Sequence, residues 1–136
     1  MILLDTSGLL AAIDSSQQRH QEAATALRVA RGPLLLSPFV LAELDYLLAT
    51  RVGIDAELSL LDEVARGAYR LEQFAPEDVE AARAVVARYR DGDVGLGDAS
   101  IVVLANRYGI LDVLTLDRRH FAALRGPGGR RFHLTP

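Results

Sequence analysis

A chain of 136 residues, half of them apolar and 24% charged, carries enough apolar material for a single domain spanning 1–136 with a real core, which excludes a disordered chain. The formal net charge is −3 and cysteine is absent, so neither a disulfide framework nor a thiolate metal centre is possible. No apolar run approaches the ~20 residues of a membrane span, and Met1 leads straight into Ile2-Leu3-Leu4 without a basic leader, so a cytoplasmic protein free of membrane is expected.

In chain order, Ile2-Leu3-Leu4 is a short apolar run that ends at Asp5 and reads as a buried central strand. Thr6 or Ser7 caps a helix from about Gly8 to Asp14. A second helix is expected from about Ser16 to Ala30, with Ala23, Ala24, Leu27 and Ala30 at helical spacing and Gly32-Pro33 as its breaker. Leu34-Leu35-Leu36 is the second strand. Ser37-Pro38 then reads as an N-cap and a first-turn proline, opening a helix that runs to about Val52 and stops at Gly53. Asp55 caps the next helix, which continues to about Arg66.

Tyr69-Arg70-Leu71-Glu72 alternates weakly and reads as an edge strand. Pro76-Glu77-Asp78 starts a helix ending near Tyr89, with acids in the first turn where the dipole favours them. Asp91 to Gly97 is a glycine-rich loop, and a helix from Asp98 to Tyr108 follows it. Asp112 to Thr115 is a strand, Asp117 to Leu124 a short helix, Gly126 to Gly129 a turn and Arg131 to Leu134 a final strand. Strands alternate with helices throughout. That pattern implies an α/β fold, a three-layer α/β/α sandwich around a central parallel sheet of four to five strands.

Four acids fall where such a fold gathers its site. Asp5 and Asp117 end strands, Asp98 opens a helix, and Glu43 sits among Val40, Tyr46 and Leu47 on a face that reads as apolar. Strand C-termini and the following helix N-termini share one edge of a parallel sheet, and ligands bind there. Taken singly, Asp5, Asp98 and Asp117 read as helix caps. Glu43 resists that explanation, because an unpaired buried charge costs several kcal/mol. Carboxylates gathered at one edge repel one another unless a cation lies among them, and hard oxygen donors suit Mg²⁺ or Mn²⁺. Metal-dependent phosphoryl or phosphodiester chemistry is therefore the leading reading.

Other features carry less. Asp93 precedes Asp98 and reads as a turn residue or a water-mediated metal contact. Asp45 and Asp112 point elsewhere. His20, His120 and His133 lack ligand spacing and read as surface or core residues. All 15 basic residues are arginine; five of them, with no acid, lie between Arg118 and Pro136, a solvated tail or a phosphate-holding end. An aspartyl phosphatase or a receiver domain would need a lysine that this chain lacks. A non-catalytic module gripping a basic partner peptide in an acidic cleft is the alternative from a different class.

Met1-Ile2-Leu3-Leu4-Asp5-Thr6-Ser7, Ser37-Pro38 with Ala42-Glu43-Leu44, Gly95-Leu96-Gly97-Asp98-Ala99-Ser100-Ile101 and Leu114-Thr115-Leu116-Asp117-Arg118-Arg119-His120-Phe121 together resemble the four motifs of a PIN domain. Length and motif order resemble the VapC-like toxins of type II toxin–antitoxin pairs. The resemblance covers nearly the whole chain. It implies a Mg²⁺- or Mn²⁺-dependent endoribonuclease, with Asp5, Glu43, Asp98 and Asp117 as metal ligands and catalytic residues. Thr6, Ser7 and Thr115 would be supporting polar groups. The resemblance also implies an RNA substrate, a VapB-like antitoxin that occupies the cleft, and a homodimer.

Overall fold

The computed structural model describes residues 1–136 and contains five strands and seven α-helices. Strand β1 (Ile2–Leu4) is buried along its whole length. It lies at the centre of an all-parallel sheet, between β2 (Leu34–Leu36) and β4 (Asp112–Leu114). The outer strands are β3 (Arg70–Leu71), beside β2, and β5 (His133–Thr135), beside β4. Leu3 pairs with Leu35 on one side and with Val113 on the other. Strands this short survive because leucine and valine side chains are sealed on both sheet faces. Leu3, Leu35, Leu36, Val113 and Leu114 have no solvent exposure.

The helices are α1 (Thr6–Ile13), α2 (His20–Val29), α3 (Pro38–Arg51), α4 (Ile54–Ala65), α5 (Pro76–Arg88), α6 (Leu96–Tyr108) and α7 (Arg118–Ala123). Two crossovers step outward from β1 to β2 and β3, and the third returns past β1 to β4. The direction of winding therefore reverses at β1. A crevice opens at the C-terminal edge of a parallel sheet where this happens.

Four helices start at other residues than expected. Helix α2 begins at His20, not near Ser16, because Asp14 accepts hydrogen bonds from the Ser16 amide, the Ser16 hydroxyl and Gln17. That side-chain turn competes with helix for the same backbone groups. Helix α1 starts at Thr6 with Asp5 at its N-cap position, and α4 starts at Ile54 behind Gly53 instead of being capped by Asp55. Gly53 has φ 141°, a left-handed conformation suited to glycine. Helix α6 starts at Leu96, so Asp98 lies inside the first turn and is not the cap.

Gly8 sets how closely α1 lies against the sheet. A β-carbon there would stand 2.5 Å from the Leu114 carbonyl oxygen. Only glycine allows that approach, and it brings the start of α1 against the end of β4.

At the β3 edge the buried Glu72 takes contacts from Arg70, Arg107 and the Tyr108 hydroxyl. A buried carboxylate persists only when paired in this way, and the pairing ties the edge strand to α6. No helix is long and apolar enough to cross a membrane.

Candidate active site

Asp5, Glu43, Asp98 and Asp117 all line one cleft of about 300 Å³ at the C-terminal edge of the sheet. Asp5 comes from the end of β1, Asp117 from the end of β4, Glu43 from the second turn of α3 and Asp98 from the first turn of α6. Thr6, Ser7 and Asp93 share its walls, and His120 supplies the sole basic side chain.

Asp5 is the most deeply held. It is 5% exposed, and one carboxylate oxygen accepts hydrogen bonds from the Ser7 and Thr115 hydroxyls, each at 2.7 Å. Ser7 Oγ in turn accepts from the Leu116 amide at 2.9 Å, and Thr115 Oγ1 accepts from the Asp117 amide at 2.9 Å. The start of α1 and the end of β4 are thus laced together around one carboxylate. Burial pushes the Asp5 carboxyl above its usual range, the two hydroxyls oppose that, and the Asp117 charge adds to it.

Glu43 differs from the sequence-based expectation of a buried charge on an apolar face. The core-facing residues of α3 are Val40, Leu44 and Leu48, and Tyr46 is exposed. Glu43 lies beside that stripe, lines the open side of the cleft and is exposed to solvent. A β-carbon at Gly97 would stand 3.3 Å from its Oε2, so the glycine preceding Asp98 leaves the space Glu43 occupies. Partial burial and the Asp5 charge raise the Glu43 carboxyl, while the neighbouring Thr6 hydroxyl lowers it.

Asp98 is pushed up to about 6 by burial and then by Asp5, against the opposing pull of His120. Asp117 caps α7, accepting from the His120 amide at 3.1 Å. His120 Nδ1 lies 2.8 Å from Asp117 and 3.4 Å from Asp98. The histidine therefore belongs to the site, contrary to the reading of all three histidines as bystanders. Its place three residues after Asp117, in the first turn of α7, was the available signal. His20 instead contacts the Ala11 carbonyl, and His133 pairs with Asp112 at the opposite edge. Asp45 faces Glu57 of α4 and not the cleft.

A second pair that sequence reasoning missed stands behind the cleft. Ser37 Oγ accepts from the Phe39 amide and so caps α3, and it also receives Ser100 Oγ at 2.7 Å. Both serines are fully buried. They join the helix that carries Glu43 to the helix that carries Asp98.

The donor set is all hard oxygen apart from one imidazole, and three of its four carboxyls are raised by burial and by one another. No three acidic or histidine side chains already converge as a closed ligand set. A closed set is not required for Mg²⁺, which keeps several waters and is commonly bound through only one or two carboxylates. The residues therefore fit a hydrated divalent cation. A larger cavity of about 720 Å³, between the ends of α2 and α4 and the starts of β2 and β3, has no carboxylate in its walls.

The PIN domain family model matches residues 2–127. The chain belongs to the PIN-domain family. Its relatives include Ribonuclease VapC26 of Mycobacterium tuberculosis, 47% identical over 135 residues, which cover 99% of this chain and all of that protein. The fold of this PIN domain is also that of Mycobacterium tuberculosis VapC20, described as a sarcin–ricin loop cleaving toxin. The two superpose with a TM-score of 0.84 at 24% identity, over 90% of this chain and 95% of the other.

Proposed function

We propose that this PIN domain is a VapC-type endoribonuclease toxin that hydrolyses RNA phosphodiester bonds with Mg²⁺ or Mn²⁺. One observation carries the reading: four carboxylates from four separate elements, with Asp93 of the loop before α6 as a fifth, line a single cleft whose charge is balanced by one histidine at most. The 47% identity to a protein named as a ribonuclease supports it over the full chain.

Asp5, Glu43, Asp98 and Asp117 are the residues that would hold the cation. When bound, it acts as a Lewis acid that lowers the pKa of a coordinated water and neutralises phosphate charge. Ser7 and Thr115 fix the Asp5 carboxylate in one orientation and favour its charged form. His120 stands between Asp98 and Asp117, with its Nδ1 within 3.4 Å of both carboxylates. Asp98, raised to about 6 by burial and by Asp5 in the cation-free cleft, is ionised at neutral pH and would be drawn further toward its charged form by the cation.

A VapB-like antitoxin and a second copy of the chain are the expected partners. Tyr46, Ile54 and Leu58 stand exposed on α3 and α4 and give such partners an apolar surface to cover. The cytoplasm is the compartment that holds the RNA.

The test is incubation of the purified protein with total RNA, with Mn²⁺ and with EDTA, followed by mapping of new 5′ ends. Cleavage with Mn²⁺ that disappears with EDTA, and in Asp5→Ala, is expected. RNA left intact whether or not Mn²⁺ is added would favour the acidic-cleft binding module.

A further inference from the structure

A separate cavity of about 330 Å³ opens beside the acidic cleft, and His120 lines both. It lies where the end of α5 meets the start of α7. Its walls include Arg88, Tyr89, Asp91, Val94 and Arg119. Neither arginine is paired with a carboxylate: the ion pairs of this protein use Arg19, Arg66, Arg70, Arg83 and Arg107. Three other C-terminal arginines are spent on backbone carbonyls: Arg118 on Pro136, Arg125 on the end of α7 and Arg130 on Pro127. Arg119 stays free and faces this cavity.

The Arg88 guanidinium lies 5.5 Å from the centre of the Tyr89 ring. An arginine stacked on a tyrosine is a surface that an unpaired base can extend, and unpaired bases are recognised by stacking of this kind. Arg88 and Arg119 supply the fixed positive charge that the acidic cleft lacks. Asp91 is the cavity's one carboxylate and an acceptor for a base amino group.

We propose that this cavity is a nucleotide subsite for single-stranded RNA. Tyr89 and Arg88 stack one base next to the scissile phosphate, and Arg88 and Arg119 hold the adjoining phosphates. The inference rests on the ribonuclease reading of the neighbouring cleft and adds where the substrate strand runs: from Asp5 and Asp98, past His120, toward the end of α5.

The experiment is fluorescence-anisotropy titration of a labelled single-stranded RNA dodecamer of mixed sequence, in EDTA so that binding is read without cleavage. Tyr89→Ala is expected to weaken binding by roughly 5- to 150-fold, the range for one lost base stack, while Tyr89→Phe keeps it. Arg88→Ala with Arg119→Ala is expected to flatten the dependence of log affinity on log salt by about 1.4, at roughly 0.7 per phosphate contact. Arg31→Ala, outside both cavities, leaves both readouts unchanged. Tyr89 also packs against the core, so the two exposed arginines carry the test if Tyr89→Ala unfolds. A folded double-arginine variant with parental affinity and salt slope overturns the subsite. If that happens while the parent still cuts RNA with Mn²⁺, only the subsite falls. If the parent binds RNA through these residues yet never cuts it, the ribonuclease reading falls and the subsite stands.

Discussion

Ser37 and Ser100 meet hydroxyl to hydroxyl at 2.7 Å, with no solvent access to either residue. The contact spans 63 positions of sequence and sets α3 against α6, hence Glu43 against Asp98. Ser100→Ala leaves a buried hydroxyl with one partner fewer. We expect a loss of about 1–3 kcal/mol in urea denaturation. Removing both hydroxyls should cost less than the sum of the two single changes, because the second deletion has no shared bond left to break. Strictly additive losses would mean that the contact contributes nothing.

The acidic cleft should weaken the metal-free protein as pH rises. The Asp98 carboxyl lies at about 6 in the fold against an ordinary 3.8. An acid whose folded pKa is raised costs nothing below its unfolded value, and its cost grows through the interval and is complete above the folded value. Solvent reaching this partly exposed carboxyl screens part of that cost for Asp98. Asp98→Asn removes the cost, so the variant should gain stability relative to the parent between pH 4 and pH 8, measured by chemical denaturation in EDTA. Parallel curves across that range would sink the idea. In the parent, Mn²⁺ binding should weaken as pH falls through about 6, since protons compete for the same oxygens.

Thr115 does double duty, donating to Asp5 and accepting from the Asp117 amide. Thr115→Val keeps the shape and removes both bonds. Losing a partner that orients a metal ligand typically weakens metal affinity ~10- to 100-fold. Calorimetric titration with Mn²⁺ should show a drop of that order with the circular dichroism unchanged. Parental Mn²⁺ affinity would mean that Asp5 needs no help from the hydroxyl.

Gly8→Ala pits helix propensity against packing. Alanine is the better helix former by ~1 kcal/mol. Its β-carbon, however, would fall 2.5 Å from the Leu114 carbonyl oxygen. Overpacking of this kind costs about 1–3 kcal/mol, and here it also pries Ser7 from Leu116. We expect net destabilisation in thermal unfolding together with reduced RNA cleavage. A more stable, fully active variant would show that α1 has room to move.

The strands and two of the four acids were legible from local rules. Apolar triplets such as Ile2-Leu3-Leu4 and Leu34-Leu35-Leu36 can satisfy their side chains only inside a sheet, and the helices between them require parallel pairing. Asp5 and Asp117 were readable because strand ends share an edge whatever the details of packing. Even the two-residue strand Arg70–Leu71 was visible in its alternation. Tertiary structure decided the remainder, because those contacts join residues far apart in the chain. Glu43 was expected to be buried, yet it stands at the open side of the cleft: helical spacing ranks neighbours on one helix but says nothing of what covers them. His120 enters the site only because α7 turns its first residues toward α6, and Ser100 matters only because α3 begins at the same point. Periodicity records which side of an element faces inward. Only the packed chain decides which inward-facing groups meet.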